Sequence, residues 1–441
     1  ITYISAGAGG MYCGSCIRDN ALAASLMNEG HEVLLLPLYT PSLTDEDNVS
    51  SSRVFYSGIS VYLEQYVSLF RHTPWLLDRL WESPWLLRTV ADRAVQTNPE
   101  DLGELLISVL EGQSGHQAKE VDKLLHWLKE QPTPDVIDIS NSMLIALAQP
   151  LKEALGVPVC CTLQGEEVFI GHLSESLQER ARKLIKEHAR YVDRFLAVSD
   201  YGAGHMSRFL DIPGAKFDVV PLGITVDGCE RRTGSGGKGF AIGHFGRIAP
   251  EKGLHLLCEA YRRLREAGKL DGGSLEIAGY LSPSHKGYFD SIMKQMREWG
   301  LEQEVTYHGK LDRPRKLEFL RSLDMLVIPA VYDDPKGLPV LEAMACGVPT
   351  VVPRRGTYTE FIKRTGGGVL VEPDDVEALT SALADLASDP DRLDELGNRG
   401  ATGVREHYTA GTMATRALAV YKRLVGASPS TLTEGVRAVQ A

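Results

Sequence analysis

Short apolar runs and stretches with apolar residues at helical spacing alternate along this chain, separated by turns rich in Gly, Pro, Asp and Asn. In the first half, the runs at 1–5, 31–36, 135–140, 157–163 and 194–199 are too short and too uniformly apolar for amphipathic helices. They read as buried strands. Residues 21–28 place apolar side chains three and four apart and are closed by Gly30, which predicts a helix that begins at Ala21. The second half repeats the alternation, with strands expected at 240–245, 275–280, 305–310, 325–329, 350–352 and 368–371. Strand, turn, helix and strand in that order predict an α/β protein with doubly wound parallel sheets.

Two interruptions organise this pattern. Residues 228–239 are Gly-rich and polar, as expected of a linker, and divide the chain into domains at 1–222 and 240–407. Residues 60–130 are helical in pattern and rich in aromatics, including Trp75, Trp81, Trp85 and Trp127, and read as a helical insertion in the first domain. This stripe has two readings. It is either the packing face of the insertion, the commoner case, or a surface for peripheral membrane contact or for an acceptor. Residues 426–441 are expected to be a loosely ordered tail.

Composition narrows the field. A chain of 441 residues is long for one core, and two domains are the ordinary solution. A formal net charge of −11 argues against nucleic acid as an electrostatic partner. No apolar run approaches the roughly 20 residues needed to span a bilayer. The first residues read as a strand rather than a signal peptide, and the seven scattered cysteines read as reduced thiols, so a cytoplasmic location is expected.

The candidate chemistry gathers in four turns. At 333–338, Asp333-Asp334-Pro335-Lys336-Gly337-Leu338 joins an expected strand to an expected helix. Gly337 would stand at a helix N-terminus whose backbone N–H groups and dipole suit a diphosphate. Asp334 lies in that turn and Glu342 eight positions later in the helix, where both can accept hydrogen bonds from hydroxyls. The turn Gly246-Arg247-Ile248-Ala249-Pro250-Glu251-Lys252-Gly253 supplies two cations, Arg247 with a bidentate fork and Lys252 as a point charge. Gly9-Gly10 in the first turn permits close backbone approach to a ligand. At the end of an expected strand, Thr162-Leu163-Gln164-Gly165-Glu166-Glu167 offers Gln164, which can donate and accept hydrogen bonds but cannot serve as acid or base.

Other features have plain readings. Cys13-Gly14-Ser15-Cys16 is expected in a turn before the first helix, as small side chains or, alternatively, as a redox pair or half a metal site. Cys160 and Cys161 are adjacent in a strand and point to opposite faces, so they cannot easily join it together. The Asp-x-Asp matches at 45–47 and 389–391 read as solvated acids, and no metal site is expected.

Gly337-Leu338 with Leu341 to Pro349, and the Gly246-Arg247 to Lys252-Gly253 turn, resemble the donor-site signatures of retaining nucleotide-sugar glycosyltransferases of the GT-B type, family 4. The resemblance covers the chain except 60–130 and the tail. It implies two Rossmann-like domains facing a central cleft, with a helix at about 408–425 returning to the first domain. It also implies metal-independent transfer of a sugar, with retention, from a nucleoside-diphosphate donor to a sugar, glucan or lipid-linked hydroxyl. Arg247 and Lys252 would hold the diphosphate, Glu342 the ribose, Asp334 the sugar hydroxyls, and Gly309 would lie near the base, whether UDP, ADP or GDP. Gly9 and Gly10 would face the donor. Two positions depart from the family: Asp334 stands where Glu is usual, and Gln164 where His is usual. An epimerase or hydrolase on the same fold is the alternative activity. A catalytically silent nucleotide-sugar-binding or redox-sensing protein is the alternative of another class. No cofactor beyond the donor is implied, and oligomeric state is left open.

Overall fold

The computed structural model describes residues 1–7, 13–55, 99–230, 239–270 and 272–426. Gly9, Gly10, the aromatic stretch through Trp85, most of the linker and the tail lie outside the described residues. Backbone contacts divide the chain into two compact units. One comprises Ile1–Val198, Gly202–Val220 and the segment from Ala414; the other comprises Ser199–Tyr201 and Pro221–Met413.

Among its described residues the first unit holds six strands: β1 (Thr2–Ser5), β2 (Leu34–Pro37), β3 (Ile137–Ile139), β4 (Val159–Leu163), β5 (Arg194–Ala197) and β6 (Phe217–Val219). They lie in the order β2-β1-β3-β4-β5-β6, and every pair is parallel. The direction of winding reverses between β1 and β3, the switch point where open α/β sheets bind ligands at the carboxyl ends of their strands. β4 is buried along its whole length, which is why its sequence, Val-Cys-Cys-Thr-Leu, does not alternate.

The second unit repeats the design with β7 (Ala241–Phe245), β8 (Ser274–Ala278), β9 (Val305–Tyr307), β10 (Met325–Val327), β11 (Thr350–Pro353) and β12 (Gly368–Val371). Their order is β12-β11-β10-β7-β8-β9, again parallel, with the switch point between β7 and β10. The turns that leave β7 and β10 are therefore neighbours, although about 80 residues separate them in sequence.

The structure corrects several local expectations. The first helix runs Gly14–Asn28 and so begins well before Ala21. Cys16 is buried within it instead of lying in a turn. The polar run Arg18-Asp19-Asn20 in its first half is wholly buried. Cys160 and Cys161 are both buried in β4, and burial pushes both thiols well above their ordinary range. Asp45 is half-buried rather than solvated, while Asp389 is exposed and caps helix Pro390–His407 through the Arg392 N–H at 3.0 Å. The last helix among the described residues is Ala410–Gly426, and Tyr421 on it donates to Asp138 of β3 at 2.6 Å.

Candidate active site

In the second unit, the residues that join β7 to its helix and β10 to its helix converge. Lys252 ends a short 3-10 turn, Pro250–Lys252, and Gly253 starts helix Leu254–Glu266. Gly253 has φ 74°, and a Cβ there would lie 1.9 Å from the Pro329 carbonyl oxygen. Only glycine lets these two turns approach so closely. Lys252 then reaches across and donates to Asp334 Oδ2 at 2.6 Å and to the Tyr332 hydroxyl at 2.6 Å.

Asp334 is 3 % exposed and has more partners than its sequence position foretold. Its Oδ1 accepts from the Lys336 and Gly337 N–H groups at 3.0 and 3.1 Å, and its Oδ2 accepts also from the Tyr358 hydroxyl at 2.9 Å. Burial alone would raise this carboxyl, but the Lys252 cation and these hydrogen bonds outweigh it and hold Asp334 well below the usual carboxylate range. Gly337, at φ 61°, begins helix Leu338–Ala345, and a Cβ there would meet the Tyr358 ring at 2.8 Å. At the start of this helix the Asp334 carboxylate accepts from the Gly337 N–H, while the N–H groups of the first helical turn follow it in sequence.

Two further ion pairs hold the other expected residues of this unit. Glu342 accepts from Lys316 at 2.6 Å; Lys316 is 4 % exposed and comes from helix Arg313–Ser322. Arg247, about half exposed, pairs with Glu251 four residues on in the same turn. Gly246 follows β7 and Gly309 follows β9, on either side of the end of β8: the Gly246 N–H donates to the Ala278 carbonyl at 3.1 Å, and the Gly279 N–H donates to the Gly309 carbonyl at 2.8 Å. Leu338 is buried at the helix start. Each cation of the cluster thus carries a carboxylate of its own.

In the first unit, Gln164 is buried just past β4. Its Nε2 donates to Asp19 Oδ1 at 2.9 Å and to the Ser140 carbonyl at 3.0 Å. Asp19 also accepts from the Tyr3 hydroxyl at 3.1 Å and pairs with Arg18 at 3.3 Å, and Arg18 donates to Tyr3. Thr162 donates to Asp138, which receives Tyr421 from the last helix. Burial pushes Asp138 up to about 6 against the pull of Tyr421 and Arg18, and pushes Glu166 up to about 7.

Sequence reasoning missed Lys316, Tyr332, Tyr358, Arg18, Asp19, Asp138 and Tyr421. Lys316 sits in a run, Arg313-Pro314-Arg315-Lys316, that reads as a solvated helix start. The one available signal was an apolar Leu317 beside it. Among the described residues, no three His, Cys, Asp or Glu side chains cluster as a metal site.

Two doubly wound parallel sheets in one chain, each with polar side chains gathered near its switch point, are the architecture of GT-B glycosyltransferases. Sucrose-phosphate synthase from Thermosynechococcus elongatus has this fold, with a TM-score of 0.72 and 19 % identity over 97 % of this chain and 99 % of that one. HepE of Anabaena, solved with UDP-glucose, has a TM-score of 0.65 at 15 % identity over 96 % and 99 %. Residues 18–223 match the model of the glycosyl transferase 4-like domain, and residues 230–402 that of glycosyl transferases group 1. The chain belongs to this glycosyltransferase family. A relative in sequence is the MMP alpha-(1->4)-mannosyltransferase of Mycolicibacterium hassiacum, 28 % identical over 241 residues, 54 % of this chain and 56 % of that protein. The matched region spans from 56 % to 67 % of the length of the first such relatives.

Proposed function

We propose that this protein moves a sugar from a nucleoside-diphosphate donor to a hydroxyl acceptor, with retention at the anomeric carbon and without a metal ion. The observation that carries the reading is the Lys252–Asp334 pair at the β7/β10 switch point, with Arg247 in the turn that leads to Lys252 and Glu342 on the helix that follows Asp334. The UDP-glucose bound to HepE, and the sugar-transferring relatives, support a nucleotide-sugar donor.

In this reading the chemistry is positioning and charge stabilisation. As the glycosidic bond breaks, negative charge grows on the leaving diphosphate, and fixed cations there lower the barrier. Lys252 has three N–H donors, of which two are held by Tyr332 and Asp334, and the third is left for the phosphate. Arg247 adds a bidentate fork once it leaves Glu251. That exchange costs little, because an exposed ion pair is worth about 0–1 kcal/mol. Gln164 holds no proton to exchange, so the proton of the acceptor hydroxyl passes to the leaving phosphate oxygen on the same face, which yields retention.

A thermal-shift screen against UDP, GDP, ADP and their sugar conjugates tests this, with Arg247→Ala as control. A shift for one nucleotide that is lost in the variant identifies the donor base. No shift for any of them overturns the reading. Given a donor, the anomeric configuration of the product reports retention, and unchanged turnover in EDTA reports metal independence. Sugar released or epimerised without any acceptor would instead make it a hydrolase or epimerase.

A further inference from the structure

The resemblance assigns Asp334 to the sugar hydroxyls of the donor, and the geometry points elsewhere. A carboxylate has two oxygens and about four lone-pair sites. At Asp334 all four are occupied from within the chain: Lys336 N–H and Gly337 N–H on Oδ1, Lys252 Nζ and Tyr358 hydroxyl on Oδ2, at 2.6–3.1 Å. The Tyr358 ring that seals this carboxylate is itself fully buried, and the Asp334 backbone carbonyl is held by both the Thr357 N–H and hydroxyl. No acceptor capacity faces outward for a sugar.

The length of the side chain explains the arrangement. Bonds from a carboxylate to the N–H groups two and three residues on form an Asx-type turn, a short ring that an Asp side chain closes. Glu, longer by one methylene, would push its carboxylate past that ring, against Lys252 and Tyr358. The usual family residue and the residue found here are therefore not interchangeable in this site.

We infer that Asp334 is a positioning residue that acts through Lys252 and the Gly337 turn, and that no sugar hydroxyl of the donor binds to it. The exposed Arg247–Glu251 pair is the one that opens for the diphosphate, while the buried Lys252–Asp334 pair stays closed and aims the remaining Lys252 N–H. This inference rests on the donor site proposed above.

Isothermal titration separates it from direct sugar contact. Wild-type protein is titrated with UDP, ADP and GDP and with their glucose conjugates; the nucleotide that binds is then used with Asp334→Asn and Asp334→Glu. Breaking a buried charge pair that aims Lys252 is expected to weaken the free nucleoside diphosphate about thirtyfold or more, and the conjugate by the same factor, in both variants. Lys252→Met combined with Asp334→Asn should bind no more weakly than Lys252→Met alone, since both act through one group. Should these variants fail to fold, Tyr358→Phe removes one of the four donors while leaving the charge pair, and is expected to weaken nucleotide and conjugate equally. The inference falls if the free nucleoside diphosphate binds any of these variants as it binds wild type while the conjugate alone is weakened. It also falls if Asp334→Glu strengthens the conjugate. Failure of wild type to bind any of the three nucleotides overturns the site reading itself, and this inference with it.

Discussion

The acids near the switch points of the two sheets are held in opposite electrostatic states. In the second unit, Asp334 faces the Lys252 ammonium and two backbone N–H groups, and its charge is favoured despite full burial. In the first unit, Asp19, Asp138 and Glu166 are as deeply buried, yet burial wins and all three are pushed up. The difference is one of partners. Arg18 acts on Asp19 and Asp138 together, and the charged neighbour of Glu166 is another acid, Glu167. The same topology thus builds a fixed ion pair at one sheet and a set of hydroxyl, amide and easily protonated carboxyl groups at the other.

The largest effect that would break this contrast is expected from Lys252→Ala. It leaves Asp334 a buried carboxylate without its cation, which costs about 3–5 kcal/mol. The second unit should melt far earlier by calorimetry, and binding of the nucleoside diphosphate should be lost with it. An unchanged melting temperature would mean that Asp334 takes up a proton or opens to water, and the pair would not be a fixed feature.

Acidification should act on the units with opposite signs. His244 in β7 is buried, its Nδ1–H donates to the Val327 carbonyl at 3.0 Å, and it is lowered to about 4 by burial. Its neutral form is the folded one. Stability from this group is present above about 6.5 and is lost as pH falls toward 4, by up to about 3 kcal/mol. His244→Asn should flatten that loss between pH 7 and pH 4.5 in denaturant titrations followed in the second unit.

In the first unit, the raised carboxyls reverse the sign. A carboxyl with a folded pKa of about 6 (Asp138) or 7 (Glu166) adds stability that is complete below about 4 and lost as pH rises through those values. For Asp138 this amounts to about 2–3 kcal/mol. Asp138→Asn cannot titrate, so wild type should gain on the variant as pH falls from 8 to 4.5. A gap that stays constant with pH would show Asp138 to be ionised throughout, as Asp334 is.

The smallest effect is expected at Gln164. Gln164→Leu removes two donors and leaves Asp19 with one bond fewer, at a cost of about 1–3 kcal/mol. Because no base is required there, turnover should fall less than it does for Lys252→Ala. The reverse order, with Gln164→Leu the more damaging to turnover at saturating donor, would give Gln164 a chemical role.

What could be read from sequence follows from the range of the interactions involved. Strand and helix order were legible because burial of whole strands writes local apolar runs, as in β4 and β10. The turns before helices Leu254–Glu266 and Leu338–Ala345 were legible because glycine spacing is local too, as at Gly253 and Gly337. The partners of those turns were not. Lys316 meets Glu342 across 26 residues, and Tyr358 meets Asp334 across 24, with no local pattern to mark either. The start of the first helix was not legible in the same way: it carries Arg18, Asp19 and Asn20, polar residues that are ordinarily solvated and that are buried here. Only the fold supplies the neighbours that let them be buried.

The bond between Tyr421 and Asp138 also sets an order of assembly. Its partners lie 283 residues apart, with the whole second unit encoded between them. During synthesis at about 5–20 residues per second, Asp138 waits roughly 15–60 s for Tyr421 to be made. The first unit is thus begun first and completed last. Throughout that interval a buried acid beside Arg18 lacks one of its hydrogen-bond donors, while the second unit is already free to close its own Lys252–Asp334 pair. A nascent chain that ends before residue 414 therefore carries nearly all of the second unit and a first unit that lacks its closing helix.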